Sequence, residues 1–335
     1  MSDYEAIDVH CHFFPIRIFK KLSKKYNKFN LDIKSEGDLA NIRISIGNVR
    51  YSGIVKGGFL DFDKLVKDSL TKHKIIRIIS IAPISFFYEL DIEIADELYR
   101  EFNNLASELS EKYKDIVSFM AGIPLQDPSK AIEELKRAII DLGLKGVAIG
   151  TNVVGKNLDH PTLRKFFIEA NRLNVPIFLH PAYVAAKSRL KRYYLTNIIG
   201  NPLDTTIAVG SLIFSGLLDQ LSNLKFVLAH GGGFFPYQLG RFEHGYHVRE
   251  ETKFKAKQSP KYYLRHFYFD TILHDKEALN FLIRQVGPEK IIMGSDYPFD
   301  MGYDNPVDVI ESLELAGNIK NMILIENAIK LFKLE

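Results

Sequence analysis

The run Ile7-Asp8-Val9-His10-Cys11-His12-Phe13 sets two histidines two apart in an apolar stretch. Side chains of a β-strand alternate faces, so His10 and His12 leave on the same side. Two imidazoles on one face at a strand end are half of a metal site. Three further groups of suitable chemistry stand directly after apolar runs. His180 follows Ile177-Phe178-Leu179, His230 follows Phe226-Val227-Leu228-Ala229, and Asp296 follows Ile291-Ile292-Met293-Gly294-Ser295. Each has an ordinary reading when taken singly. His180 could be a hydrogen-bonded core histidine, His230 a companion of the Gly231-Gly232-Gly233 turn, and Asp296 a cap or turn residue before Pro298. A scattered set of structural histidines does not collect at strand ends in this way. His73, His160, His244, His247 and His266 default to solvated or structural roles. His274 and Asp270, near the seventh strand, are weaker supporting candidates. Cys11 points to the opposite face from His10 and His12 and is read as packing.

The elements that must position these groups can be read from hydrophobic runs. Strand-like segments span 6–13, 75–81, 117–123, 146–150, 176–180, 225–230, 267–271 and 290–294. Most are near-continuous apolar stretches, as parallel strands buried on both faces require. Helical segments lie between them at 91–113, from Asp127 onward, 160–173, 204–221, 275–285, 306–315 and 326–332. Strands alternating with helices predict an α/β fold, a (β/α)8 barrel. A doubly wound open sheet would want a glycine-rich phosphate loop after the first strand, where this chain has His12-Phe13-Phe14-Pro15. Residues 16–60 break the alternation. They predict an insertion after strand one, partly a β-hairpin around Gly47-Asn48, covering the barrel mouth. The whole of 1–335 is expected to be one barrel domain. Chemistry in such a barrel sits at the C-terminal strand ends, where His10, His12, His180, His230 and Asp296 all fall.

Composition narrows the class. The chain has 335 residues, 46% hydrophobic and 25% charged, enough for a large core. A net charge of +3 gives no case for nucleic-acid or membrane binding. No apolar run is long enough to span a bilayer. Ser2-Asp3-Tyr4-Glu5 is not the start of a signal peptide. Cys11 is the single cysteine, so a reducing, cytoplasmic setting is expected.

The segments Asp8-Val9-His10-Cys11-His12-Phe13-Phe14-Pro15, Gly150-Thr151-Asn152, Phe178-Leu179-His180-Pro181, Ala229-His230-Gly231-Gly232-Gly233 and Gly294-Ser295-Asp296-Tyr297-Pro298-Phe299 resemble the metal-dependent amidohydrolase superfamily. The likeness is to the branch of aminocarboxymuconate-semialdehyde decarboxylase and related nonoxidative decarboxylases, over nearly the whole chain. It implies that His10, His12, His180 and Asp296 bind one divalent metal, usually zinc, with manganese or iron also compatible. It implies that His230 is not a ligand and acts as general acid or base beside a metal-held water, a role suited to imidazole. Arg241 and Arg249 fall where the resembled decarboxylase holds substrate carboxylates. Guanidinium meets a carboxylate with a two-pronged fork. The position matching Arg241 reaches the neighbouring subunit's site, so a homodimer is implied.

The chain departs from that pattern in its pocket. An arginine belongs in the insertion, with Arg50 the nearest match and Arg43 and Lys56 behind it. The tryptophans after the strand-five histidine are replaced by Ala182 and Tyr194. Phe299, with Phe86 and Phe87, is expected to form apolar walls. The expected activity is decarboxylation of a small unsaturated or aromatic carboxylic acid. The alternative on the same ligands is a hydrolase or hydratase acting on an amide, lactone or unsaturated acid.

Overall fold

The computed structural model of the chain describes residues 4–26, 29–36, 39–46 and 49–334. In chain order its strands are β1 (Ala6–Phe13), β2 (Phe29–Glu36), β3 (Leu39–Ile46), β4 (Val49–Lys56), β5 (Ile75–Ile81), β6 (Val117–Ala121), β7 (Gly146–Gly150), β8 (Asn152–Val153), β9 (Lys156–Asn157), β10 (Pro176–His180), β11 (Lys225–Leu228) and β12 (Phe267–Phe269). Seven of them form a curled parallel sheet in the order β1-β5-β6-β7-β10-β11-β12. Every residue of β1, β5, β7 and β10 is buried. That is why these runs are apolar without alternation.

The two edges of this sheet are joined by residues 291–297. Ile292 N donates to Phe269 O of β12 at 2.9 Å, and Val9 N of β1 donates to Met293 O at 3.0 Å. Asp296 N donates to His10 O at 2.7 Å, and His12 N to Tyr297 O at 2.8 Å. The eighth stave predicted over 290–294 is therefore present as an irregular segment, with isolated bridges at Ile291 and Tyr297 instead of a regular strand. Gly294 shows what shapes it. A Cβ there would lie 2.8 Å from the Cβ of His10 and 3.1 Å from that of Asp270. Only glycine lets the backbone approach β1 this closely. The sixth and seventh barrel strands also end sooner than predicted, at Leu228 and Phe269.

Helices cover the sheet. The helix Ile92–Lys112 buries Ile94, Leu98, Tyr99 and Phe102, with Phe102 edge-on to Phe119 of β6 at 6.2 Å. Burying such a side chain contributes about 1.5–3 kcal/mol. Asp127 caps the helix Pro128–Lys136 by accepting from Ser129 N and Lys130 N, and Asp275 caps Lys276–Val286 through Ala278 N. The helix predicted over 204–221 is split into Asn201–Phe214 and Leu217–Gln220.

The region 16–60 begins with the helix Ile16–Lys25, followed by β2, β3 and β4 as a three-stranded antiparallel sheet. Gly47-Asn48, the predicted turn, lies outside the described residues. Ile46 pairs with Val49 across it. Val55 of β4 bridges antiparallel to Phe299, which brings this small sheet against the barrel mouth.

Candidate metal centre

β1 and β5 pair in parallel as Asp8 with Arg77, then as Cys11 with Ile79 and His12 with Ser80. The register slips by one between Asp8 and Cys11. An extra residue in one strand reverses the alternation of faces beyond it. Asp8 thus shares a face with Cys11 and Arg77, while His10 and His12 share the other with Ser80. His180 is the last residue of β10. His230 and Asp270 lie just past β11 and β12, and Asp296 sits in the closing segment.

Their rings and carboxylates meet at the C-terminal end of the barrel. The His10 ring centroid lies 4.8 Å from that of His12, 5.1 Å from His180 and 5.2 Å from His230. Asp296 Oδ1 stands 3.2 Å from His10 Nε2 and 3.3 Å from His12 Nε2, and its Oδ2 3.5 Å from His230 Nε2. One ligand atom from each of His10, His180, His230 and Asp296 falls within 4.8 Å of the others. Geometry alone therefore places five groups around the point, with His230 as near as the rest.

Hydrogen bonding separates them. His10 Nδ1 donates to Asp270 Oδ2 at 2.6 Å. His12 Nδ1 meets Ser80 Oγ at 2.9 Å, and that hydroxyl donates onward to Cys11 O. His180 Nδ1 donates to Pro181 O at 2.9 Å. Each of these imidazoles is anchored through Nδ1, which fixes the lone pair on Nε2. The three Nε2 atoms and Asp296 Oδ1 are buried and have no hydrogen-bond partner. Buried polar atoms are almost always satisfied. Three imidazole lone pairs and a carboxylate oxygen turned toward one point fit a divalent cation of the zinc, manganese or iron type. His230 differs: its Nδ1 has no anchor, and its side chain is 17% exposed toward the mouth.

The electrostatics are those of a centre short of positive charge. Burial pulls His10 down, but the Asp296 and Asp270 carboxylates override it and drive it up to about 10. Burial pushes His12 down to about 4 and His180 well below the ordinary histidine value, leaving both neutral near pH 7. Asp296 stays ionised because His10, His12 and His230 outweigh its burial.

Backbone strain marks the same residues. His230 has φ 55° and Asp296 φ 58°, both left-handed. Such positions cost of order 1–3 kcal/mol and persist where the surroundings hold them. Asp270 does this for His230, accepting His230 N at 2.8 Å with one oxygen and Gly231 N at 2.7 Å with the other. Asp270 is therefore the residue that sequence reasoning underweighted, since it orients His10 and pins the His230 turn together. His274, its companion in that reading, is exposed and rests on Tyr303 at 4.9 Å.

The expected substrate residues are more dispersed. Phe299 lies 5.3 Å from the His12 ring and 5.4 Å from Phe59, a wall of the mouth. Phe86 and Phe87 are 1% exposed and pack on Tyr88 and Phe19, so they serve the core. Arg241 is exposed on the helix Phe235–Val248, and Arg249 at its end is exposed and paired with Glu251 at 2.6 Å. Arg43 is exposed on β3. The side chains of Arg50 and Lys56 lie outside the described residues. Tyr194 is half-exposed and near enough to Asp300 and Asp296 to feel both charges. With burial as the larger cause, its phenol is pushed up to about 12.

The chain is similar to known proteins. The amidohydrolase family profile matches residues 7–334. A 2-amino-3-carboxymuconate-6-semialdehyde decarboxylase of Dictyostelium discoideum is 37% identical over 263 residues, covering 78% of this chain and 73% of that protein. A gamma-resorcylate decarboxylase of a Rhizobium species is 29% identical, covering 72% and 77%. Among solved structures, a 5-carboxyvanillate decarboxylase of Novosphingobium aromaticivorans, complexed with manganese and 4-hydroxy-3-methoxy-5-nitrobenzoic acid, superposes with a TM-score of 0.84 at 20% identity, over 99% of this chain and 96% of that one.

Proposed function

The chain belongs to the amidohydrolase family, and on that premise we propose that it is a metal-dependent nonoxidative decarboxylase of a small aromatic or unsaturated carboxylic acid. The observation that carries this is the convergence of the partnerless Nε2 atoms of His10, His12 and His180 with Asp296 Oδ1. Those four residues would hold the cation, and zinc is the ion we assign to them. A divalent cation there supplies a Lewis acid that draws electrons from the substrate's conjugated system.

The chain's own groups do the rest. Decarboxylation breaks the bond between a ring or vinyl carbon and its carboxylate, and the same carbon must gain a proton. His230 would deliver it. It faces the mouth, is held by its backbone to Asp270, and lacks the Nδ1 anchor of its neighbours. Phe299 gives the substrate ring an apolar wall, backed by the buried Phe59. Arg241 and Arg249 would hold the carboxylate, Arg241 from the partner of a homodimer, and Arg50 would add a third cation. Support for the dimer comes from the helix Phe235–Val248, where Tyr237 is 76% exposed and stands one turn from Arg241. We place the enzyme in the cytoplasm, in keeping with its single, unpaired Cys11. Among the described residues no helix is long and apolar enough to cross a membrane.

The test is metal analysis with a carbon dioxide release panel of aminocarboxymuconate semialdehyde and resorcylates. Zinc in the purified protein and release from at least one acid are expected. A lactone or amide opened while every acid stays intact would overturn decarboxylation in favour of hydrolysis.

A further inference from the structure

The barrel end opposite the histidines carries a second constellation. Lys225 opens β11, Arg265 lies two residues before β12, and Lys290 directly precedes Ile291 of the closing segment. β11 pairs with β12, and Phe269 of β12 bridges to Ile291, so these three staves adjoin. Each therefore begins with a cation at the same rim.

Two of the three cations are held in place by their neighbours. The Arg265 guanidinium lies 3.7 Å from the Tyr262 ring centroid and the Lys290 ammonium 4.8 Å from that of Tyr268. Lys290 Nζ also donates to Arg265 O at 3.3 Å. His266 is buried. Its Nδ1 donates to Leu224 O at 2.8 Å and its Nε2 accepts from Arg265 Nε at 3.3 Å, so it steers Arg265 as a neutral ring. Aromatic faces and a neutral imidazole position cations without cancelling their charge.

Lys225, Arg265 and Lys290 are all half-buried. Among the described residues none of them has a carboxylate within salt-bridge distance. Glu289, the one acid acting on Lys290, is exposed and lies beyond that distance. Burial is the larger cause that lowers both lysines from their ordinary value, with Lys290 and Arg265 adding repulsion at Lys225 and Lys330 adding it at Lys290. Unpaired like charges held together at a partly buried rim are destabilising unless an anion joins them. A carboxylate brings one charge and two oxygens. A phosphate brings nearly two charges and three or more acceptors, which three cations on adjoining staves can share.

We infer that this rim is a phosphate-binding site, in which Lys225, Arg265 and Lys290 take free phosphate or a phosphate monoester, remote from the metal centre.

The experiment is thermal unfolding of the full-length metal-loaded protein in inorganic phosphate against chloride of equal ionic strength. It is repeated on the double variant Lys225→Gln/Lys290→Gln. Phosphate is expected to raise the midpoint of the parent by several degrees, since a ligand bound only to the folded state stabilises it. The double variant is expected to unfold higher than the parent in chloride, because repulsion is relieved, and to give no phosphate response. Glycerol 3-phosphate distinguishes the sources: a matching rise admits esters, and no rise restricts the site to the free anion. A rise of equal size in parent and double variant would mean phosphate binds elsewhere, at the metal centre for instance, and overturns the site. So does the absence of any rise over chloride.

Discussion

The two faces of β1 carry polar clusters of similar burial and opposite character. On one face Asp8 accepts Ser295 N at 3.0 Å, Ser295 Oγ at 2.5 Å, His10 N at 3.1 Å and the Arg77 guanidinium. Arg77 in turn reaches Ser69 Oγ at 2.8 Å and stacks on Tyr297 at 4.6 Å. On the other face His10 and His12 stop short, each with a buried Nε2 that nothing satisfies. A buried ion pair with its lone pairs filled is a piece of framework. A cluster that keeps its ligand atoms open in the same low-dielectric interior is built to receive something. The one-residue slip between Asp8 and Cys11 separates the two roles, because without it Asp8 would stand in line with the histidines.

The largest break in this comparison is Asp296→Asn. It removes the one charged ligand from the open cluster, where nothing else can replace it. Metal content measured by plasma emission should fall to background, and carbon dioxide release with it. The neighbouring Asp8 framework should keep the fold, so circular dichroism should be unchanged. Metal retained at the parent level would remove Asp296 from the ligand set.

His230→Asn sharpens the division inside the open cluster. If the anchored histidines hold the cation and the unanchored one moves the proton, this variant keeps its metal while kcat falls by about 10²- to 10⁴-fold. Loss of metal instead would make His230 a ligand, as its distance from Asp296 also allows.

Much of that division could be read from residue order, and some could not. His10, His12, His180, His230 and Asp296 follow apolar runs because a parallel barrel presents its strand ends on one rim, so type and position coincide. Asp270 gave a weaker sign: an aspartate after a three-residue strand looks like any turn residue until its four hydrogen bonds are seen. The bulge that turns Asp8 away from the histidines leaves no mark in the sequence. The eighth stave reads from Ile291–Gly294 as a regular strand, because nothing in those residues shows how closely Gly294 must pass His10. Arg241 and Arg249 rest on a surface helix whose counterpart, in the homodimer proposed, lies on another subunit.

Arg77→Met tests the closed face. It leaves the Asp8 carboxylate buried without its cation, a change that typically costs about 3–5 kcal/mol. Burial already pushes Asp8 upward with Arg77 opposing it, so the variant should hold Asp8 protonated. Denaturant unfolding should show the loss, while metal bound per folded molecule stays near the parent value. Adding Asp8→Asn should recover part of the stability, since a neutral amide avoids the cost of protonating a buried carboxyl near neutral pH.

The smallest effect belongs to a third polar cluster, at the surface, where the same contacts are made in water. His73 Nδ1 meets Glu5 at 2.7 Å and Nε2 meets Asp308 at 3.0 Å. The Glu5 hydrogen bond raises His73 above its ordinary 6.5, and His73 lowers Glu5, with Lys72 and His73 lowering Asp308. A histidine raised on folding stabilises fully below its unfolded value and loses that contribution as pH climbs through the raised one. Carboxylates lowered on folding stabilise above their unfolded values, 4.5 and 3.8, and lose it as pH falls through the lowered ones. The triad is therefore fully active between about pH 4.5 and 6.5. His73→Gln should unfold a degree or two below the parent in that window, with the gap closing above it as the imidazole deprotonates. The gap stays small because exposed pairs are screened by solvent, Glu5 being 51% and Asp308 47% exposed. A gap that persists unchanged at pH 9 would mean that packing, not charge, ties His73 to the N-terminal segment and the helix Pro306–Glu311.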